Sequence, residues 1–261
     1  MTVTQDWLEV ADRVFQRRYH PCDVTVAVVV GTDGLAVVDT RCSLAEGREL
    51  REHLRKLSTA PVRWVVNTHA HFDHVLGNAA FTPPEQQPGA ELWGHHAAAA
   101  EIAAEGETPA PDHLVDRPRG IDLGDRLIEL RHPGRGHTGG DLLVHVPDAD
   151  AVLTGDLVEQ SGPPAYGADS YPLDWAATLD ALLSRTTPAT VLVPGHGRAV
   201  DPAFVRAQRG AVAAVADRLT ALHRAGVPLA DALHQGGFPY PEAGLSEAAA
   251  RAYAQLDGTL R

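Results

Sequence analysis

The chain has 261 residues, 44% of them apolar, and its 22 Lys and Arg against 34 Asp and Glu give a formal net charge of −12. A chain of this length buries a sizeable core without staples, and its acidic balance argues against a nucleic-acid partner, which would need basic side chains to neutralise phosphates. Cys22 and Cys42 are the only cysteines, too few for a disulfide framework, and are expected to be reduced, buried thiols. The first ten residues carry Asp6 and Glu9 and lack the basic start and apolar run of a secretory signal. No run approaches the roughly 18 apolar residues that span a bilayer. A cytoplasmic protein without a membrane partner is expected.

In chain order, β-branched runs at 24–30 and 35–39 flank Gly31-Thr32-Asp33-Gly34, which has the turn chemistry of a hairpin. Leu44, Leu50, Leu54 and Leu57 fall mostly at helical spacing behind a capping Ser43, so a helix is expected over 44–57. A strand at 62–67 leads into 68–77, a stretch dense in His and Asp that reads as a loop at a strand's C-terminal edge rather than a core element. Such edges are where α/β sheets bind ligands. Next come a strand at 91–93, an Ala-rich helix at 96–105, a Pro-rich loop at 108–118 and a hairpin of 121–123 with 126–130 about Gly124-Asp125. Strands at 142–146 and 151–154, a long loop at 158–172, a helix at 173–184, a strand at 190–193 and helices at 202–225 and 247–256 complete the pattern. The order of hairpins, helix, strand and His-bearing loop occurs twice in outline. Two similar halves in a single domain over 1–261 are expected, with helices 202–261 as part of it.

The chemistry is concentrated in Thr68-His69-Ala70-His71-Phe72-Asp73-His74, where four side chains of metal-binding type fall within six residues. Packing them together without a cation would leave polar groups competing for few partners. On a loop leaving a strand, His69 and His71 can point one way while Asp73 and His74 reach a neighbouring point, an arrangement suited to two metals. Three later positions extend the set: His137 in a Gly-rich segment, Asp156 after Thr154-Gly155, and His196 between Gly195 and Gly197. Each ends or follows an expected strand, with glycines that let the backbone turn sharply beside it.

Taken in order, HAHFDH at 69–74, GHTGGD at 136–141, TGD at 154–156 and PGHG at 194–197 resemble the metallo-β-lactamase superfamily, with similarity running roughly over 24–196. The resemblance implies an α/β fold, a four-layer αββα sandwich with metals at one edge between the sheets. It implies that His69, His71 and His137 bind one metal, that Asp73, His74 and His196 bind a second, and that Asp156 bridges them. Imidazole and carboxylate donors suit Zn²⁺, with Fe or Mn as alternatives. Two such cations about 3.5 to 4 Å apart hold a bridging hydroxide and polarise a neighbouring carbonyl. A dinuclear zinc hydrolase acting on a small ester, thioester or lactone is therefore expected, with Asp73 also orienting the hydroxide and passing its proton to the leaving group.

The classical β-lactamase branch uses Cys or Ser where this chain has Asp156, and a carboxylate there resembles the glyoxalase, lactonase and phosphodiesterase branches. β-Lactam hydrolysis is thus an alternative of second rank. The C-terminal segment offers Arg251 and Arg261 but not the basic cluster of glutathione thioesterases. A non-hydrolytic alternative is an iron-dependent protein of the persulfide dioxygenase type or a metal-binding redox protein. On the loop after Asp156, Tyr166 and Tyr171 are candidates to donate a hydrogen bond to an oxyanion, with simple packing the competing expectation, and Arg135 is a candidate to meet a substrate carboxylate. The apolar stripe of 202–225 packs on the sheet or pairs two copies, so a monomer or a homodimer is expected.

Overall fold

A computed structural model describes residues 7–260; the sequence readings that involve residues 1–6 and Arg261 lie outside it. In chain order the elements are β1 (Leu8–Ala11), β2 (Val14–Tyr19), β3 (Val24–Val30), β4 (Leu35–Val38), α1 (Leu44–Leu57), β5 (Val62–Val66), α2 (Phe72–Val75), β6 (Glu91–Gly94) and α3 (His96–Glu105). They continue with β7 (His113–Leu114), β8 (Arg119–Asp122), β9 (Leu127–Arg131), β10 (Leu143–Val146), β11 (Ala151–Glu159), α4 (Pro172–Leu183), β12 (Val191–His196), α5 (Pro202–Arg224), α6 (Leu229–Ala232) and α7 (Ser246–Leu256).

The strands form one hydrogen-bonded path, β7-β6-β5-β4-β3-β12-β11-β10-β9-β8, with β2 and β1 beside β3. Where the halves meet, β3 and β12 pair at His196 and Val24. Side-chain alternation shows how this path makes two layers. Ala36 and Val38 of β4 and Trp64 and Val66 of β5 share a core with Ile128 and Leu130 of β9, Val144 of β10 and Leu153 of β11. The intervening residues point outward: Leu35, Val37 and Val65 pack with Leu50 and Leu54 of α1. On the other side Leu143, Val152 and Leu192 pack with Trp175 and Leu179 of α4, Val212 and Leu219 of α5 and Tyr253 of α7. Helix, sheet, sheet and helix therefore succeed one another, an αββα sandwich. Each fully buried Leu contributes about 1.5 to 3 kcal/mol of apolar burial.

The β3–β4 hairpin and α1 form where the sequence predicts them, with Ser43 Oγ accepting from the Glu46 N–H at 3.2 Å. Other expectations are corrected. Residues 68–77, expected as a loop rather than a core element, hold the one-turn helix α2, and Thr68, His69, Asp73 and His74 are buried. The strand at 151–154 continues to Glu159, because Gly155 takes φ +51° and absorbs a register shift that would otherwise end it. The 108–118 loop includes the short strand β7. Cys22 and Cys42 are free but half-buried, with Sγ atoms 3.1 Å apart, since they lie in the connections that follow β2 and β4 rather than within a strand. Among the described residues no helix is long and apolar enough to cross a membrane.

Candidate metal centre

The C-terminal ends of β5, β11 and β12 and the turn before β10 open on one edge of the sandwich. Leaving β5, the chain presents Thr68, His69 and His71, then Asp73 and His74 on α2. His137 comes from the β9–β10 connection, where the buried Asp141 carboxylate accepts from Thr138 N (2.9 Å) and Thr138 Oγ1 (2.8 Å) and holds the turn. Asp156 lies within β11, and His196 closes β12.

These seven side chains converge. Ligand atoms of His69, His71, His137 and Asp156 lie within 4.8 Å of one another, as do those of Asp73, His74 and His196. Asp156 faces both groups: its Oδ2 is 3.5 Å from His137 Nε2 and 3.3 Å from His196 Nε2, and its Oδ1 is 3.3 Å from His74 Nε2. The approach depends on Gly195, where a Cβ would sit 1.8 Å from Asp156 Oδ1.

The outward ring nitrogens of four of the histidines are held by the protein, which fixes which nitrogen faces the centre. His74 Nδ1 meets Asp39 Oδ2 at 2.8 Å, His71 Nε2 meets Asp169 Oδ2 at 3.1 Å, His69 Nδ1 meets Thr68 Oγ1 at 3.0 Å, and His137 Nδ1 meets the Ala165 carbonyl at 3.0 Å. Facing inward, His69 Nε2 is buried without a hydrogen-bond partner among the described residues, and Asp156 Oδ1 likewise makes no hydrogen bond with them. Buried polar atoms are rarely left so. Imidazole and carboxylate donors with orphaned inward atoms fit divalent cations.

The electrostatics divide the cluster. Burial opposes charge on His196, but hydrogen bonds to Asp156 and Asp73 outweigh it and raise its pKa to about 11. His74 rises well above the usual imidazole value because Asp156 and Asp39 overcome its burial. Burial pushes His137 down to about 4 and His69 well below its ordinary value. The Asp156 carboxyl is held far below the usual range: burial works against its charge, but His74, His69 and His196 prevail. The protons on His74 and His196 compete with a cation for the same nitrogens. Metal uptake is therefore expected to release protons at pH 7 and to weaken as pH falls. Calorimetric titration in buffers of different ionisation enthalpy measures this, and a heat independent of the buffer would contradict it.

Beside the cluster lies a cavity of about 370 Å³ lined by His71, Asp73, His137, Asp156, Glu159, Ser161, Tyr166 and His196, among others. A larger hollow of about 870 Å³, lined by Arg51, Arg55 and Arg63 near the end of α1, contains none of these seven residues. Tyr166 is buried in the wall of the smaller cavity, its ring edge-on to Trp175 at 5.0 Å and its hydroxyl unpartnered. Tyr171 is placed elsewhere: its ring lies under the Arg135 guanidinium at 4.3 Å, with Arg251 at 5.2 Å, and it is not among the cavity's lining residues. Arg135 pairs with Asp174 at 2.7 Å and does not line the cavity either. His95 caps α3, its Nδ1 accepting from Ala97 N at 3.4 Å.

Asp39, Asp169 and Glu159 are absent from the sequence-based set. A carboxylate ending the buried run of β4 signals a partner for Asp39. Asp169 meets His71 across 98 residues of chain, and no local pattern announces it.

The family model of the metallo-beta-lactamase superfamily matches residues 20–196. Metallo-beta-lactamase type 2 proteins of Bacillus sp. and Bacillus cereus are 29% and 28% identical over 171 residues, covering 64% of this chain and 64% of each relative. A linear primary-alkylsulfatase of Pseudomonas sp. is 22% identical over 246 residues, 73% of this chain and 46% of the relative. The chain thus spans less than two thirds of the length of the curated relatives it matches. Among solved structures, a metallo-beta-lactamase from Pontibacter korlensis superposes with a TM-score of 0.69 at 24% identity, covering 80% of this chain and 99% of that one. A sec-alkylsulfatase from Pseudomonas sp. superposes at 0.78 and 16% identity, covering 96% of this chain and 50% of that one. These likenesses show a shared fold, and the match over 20–196 takes in all seven converging side chains: the chain belongs to the metallo-beta-lactamase superfamily.

Proposed function

We propose that the chain is a metal-dependent hydrolase that holds two divalent cations, zinc foremost, and cleaves a small ester, thioester or lactone. The observation that carries this reading is the convergence of seven His and Asp side chains, two of whose buried inward atoms lack partners, beside a cavity of small-molecule size. His69, His71 and His137 would hold one cation and Asp73, His74 and His196 the other, with Asp156 shared. Cations bound there would make a water more acidic and polarise a carbonyl oxygen beside it.

The chain's own groups do the rest. Asp73 Oδ2, held 3.3 Å from His196 Nε2, orients the attacking water and carries its proton toward the leaving group. Asp73→Asn is therefore expected to lower kcat by about 10²-fold or more at matched metal content. Full turnover in a metal-loaded Asp73→Asn protein would sink this role. Burial raises the Tyr166 phenol above its ordinary value, so it stays protonated; its hydroxyl is itself buried, and it would donate to a substrate carbonyl by turning from the wall into the cavity. Tyr166→Phe is expected to lower kcat about tenfold or more on the preferred substrate, and unchanged rates would assign the ring to packing alone. Tyr171, between two arginines, keeps a role in holding the loop.

A second reading, β-lactam hydrolysis, is favoured by the 28–29% identity to type 2 metallo-beta-lactamases. A panel of p-nitrophenyl esters, acyl thioesters, lactones, alkyl sulfates and nitrocefin, with and without chelator, separates the two. Chelator-sensitive cleavage of an ester, thioester or lactone is expected, and cleavage of nitrocefin alone would replace the first reading by the second. Action in the cytoplasm, a single folded unit over 1–261 and a monomeric or homodimeric state complete the proposal.

A further inference from the structure

The cavity beside the metal cluster has an unbalanced charge. Asp73, Asp156 and Glu159 line it, and among the described residues no Lys or Arg does. Asp73 and Asp156 belong to the cluster and would share their charge with cations. Glu159 is the remaining carboxylate, and among the described residues no Lys or Arg lies within ion-pair distance of it. The fold holds it firmly in place. Its backbone N–H donates to Gln208 Oε1 at 3.0 Å, while Gln208 Nε2 donates to the Leu157 carbonyl at 2.8 Å, so α5 clamps this end of β11. The Glu159 Oε1 accepts from Ser161 N at 3.2 Å and Ser161 Oγ at 2.9 Å. A carboxylate oxygen of Glu159 lies within 4.8 Å of the inward atoms of Asp156 and His196, which puts its charge beside the centre.

Burial and the neighbouring Asp156 charge raise the Glu159 carboxyl to about 7, against the pull of His196, so it is ionised in part at pH 7 and more so above it. A carboxylate held beside a reaction centre with no Lys or Arg near it discriminates between ligands by sign, because repulsion of the wrong charge contributes as much to specificity as attraction of the right one. We propose that Glu159 is a specificity-determining residue of this cavity: it favours substrates with a positive group near the scissile bond and rejects those with a carboxylate or sulfate there. The proposal rests on the reading of the cavity as the substrate site. It deepens that reading by separating this chain from catalysts of alkyl sulfate and β-lactam cleavage, whose substrates bring an anionic group.

Thiol binding to the Co²⁺-loaded protein, measured above about pH 8 where Glu159 is ionised, tests the proposal without requiring turnover. The sulfur-to-cobalt absorption band gives Kd for 2-mercaptoethylamine, 2-mercaptoethanol and mercaptoacetate, which carry a cationic, a neutral and an anionic end. Comparing each thiol between the native protein and Glu159→Gln cancels the thiols' own acidities. The cationic thiol is expected to bind about tenfold more weakly to Glu159→Gln, the anionic thiol about tenfold more tightly, and the neutral thiol to change by less than about threefold. Glu159→Lys is expected to carry both trends further. Equal changes for all three thiols, no change, or no thiol binding would overturn the proposal. Loss of cobalt from Glu159→Gln would overturn it too, by making Glu159 a cation ligand instead. Charge-dependent thiol binding without cleavage of any panel substrate would count against hydrolysis and leave the role of Glu159 in charge selection standing.

Discussion

Asp156→Asn is expected to lower metal content from about two equivalents per chain toward one and to reduce kcat/KM by about 10³-fold or more, a loss of about 4 kcal/mol in transition-state stabilisation. The Asp156 carboxylate lies within 3.3 to 3.5 Å of nitrogens of His74, His137 and His196, so it is the one group shared by both halves of the cluster. Asn keeps the size but removes the charge that would be shared between two cations. Elemental analysis together with turnover on the preferred substrate checks both halves of the expectation. The same substitution has a pH signature in chelator-treated protein. Because the Asp156 carboxyl is held well below its ordinary value, its contribution to stability is present above the usual carboxylate range and is lost as pH falls through its lowered value. Asp156→Asn should therefore be less stable than the native protein near pH 7, with the difference shrinking in acid. Denaturant unfolding at the two pH values measures it.

The second large effect is expected one step away from the centre, at Asp39. Its buried carboxylate accepts from Thr68 N and Thr68 Oγ1, each at 2.8 Å, and meets His74 Nδ1 at 2.8 Å. One side chain thus holds both the strand end that launches the His-rich segment and the ring of a cluster histidine. Asp39 also takes φ +66°, a conformation that Asp and Asn tolerate better than Ala. Asp39→Ala removes the charge, strands the buried Thr68 and His74 donors and strains the backbone, at a cost of about 3 to 5 kcal/mol in stability. Asp39→Asn keeps the backbone preference and should fold, with metal affinity weakened about 10- to 100-fold, as expected for loss of a carboxylate behind a ligating His. Unfolding curves separate the first effect and metal titration the second. An Asp39→Asn protein with native metal affinity would show that His74 needs no support.

The parts of this design legible in the sequence are those with local causes. The β3–β4 hairpin follows from two β-branched runs about a Gly-Thr-Asp-Gly turn, and α1 from a capped leucine stripe ending before Pro61. The cluster residues are legible because their motifs place metal-binding types where strands end. What was not legible depends on distant partners. β2 carries Gln16, Arg17 and Arg18 in its middle and becomes a strand by pairing with β3 along its whole length. β11 passes through Gly155 and Asp156, residues that locally favour ending a strand, because β12 runs parallel beside it and Gly155 absorbs the irregularity. Tyr166 and Tyr171 are alike in sequence context, and only the packed positions of Trp175, Arg135 and Arg251 separate a cavity wall from a stacked loop. Glu159 reads locally as a polar residue opening a loop, and its place beside the centre comes from the continuation of β11 and the clamp of Gln208.

The most direct test of the two-cation centre is metal analysis of the purified protein by elemental mass spectrometry, repeated after chelation and reloading. The account predicts about two equivalents of zinc per chain, lost on chelation and restored together. One equivalent of iron, or no metal retained after loading, would contradict it and leave half of the converging side chains without a role.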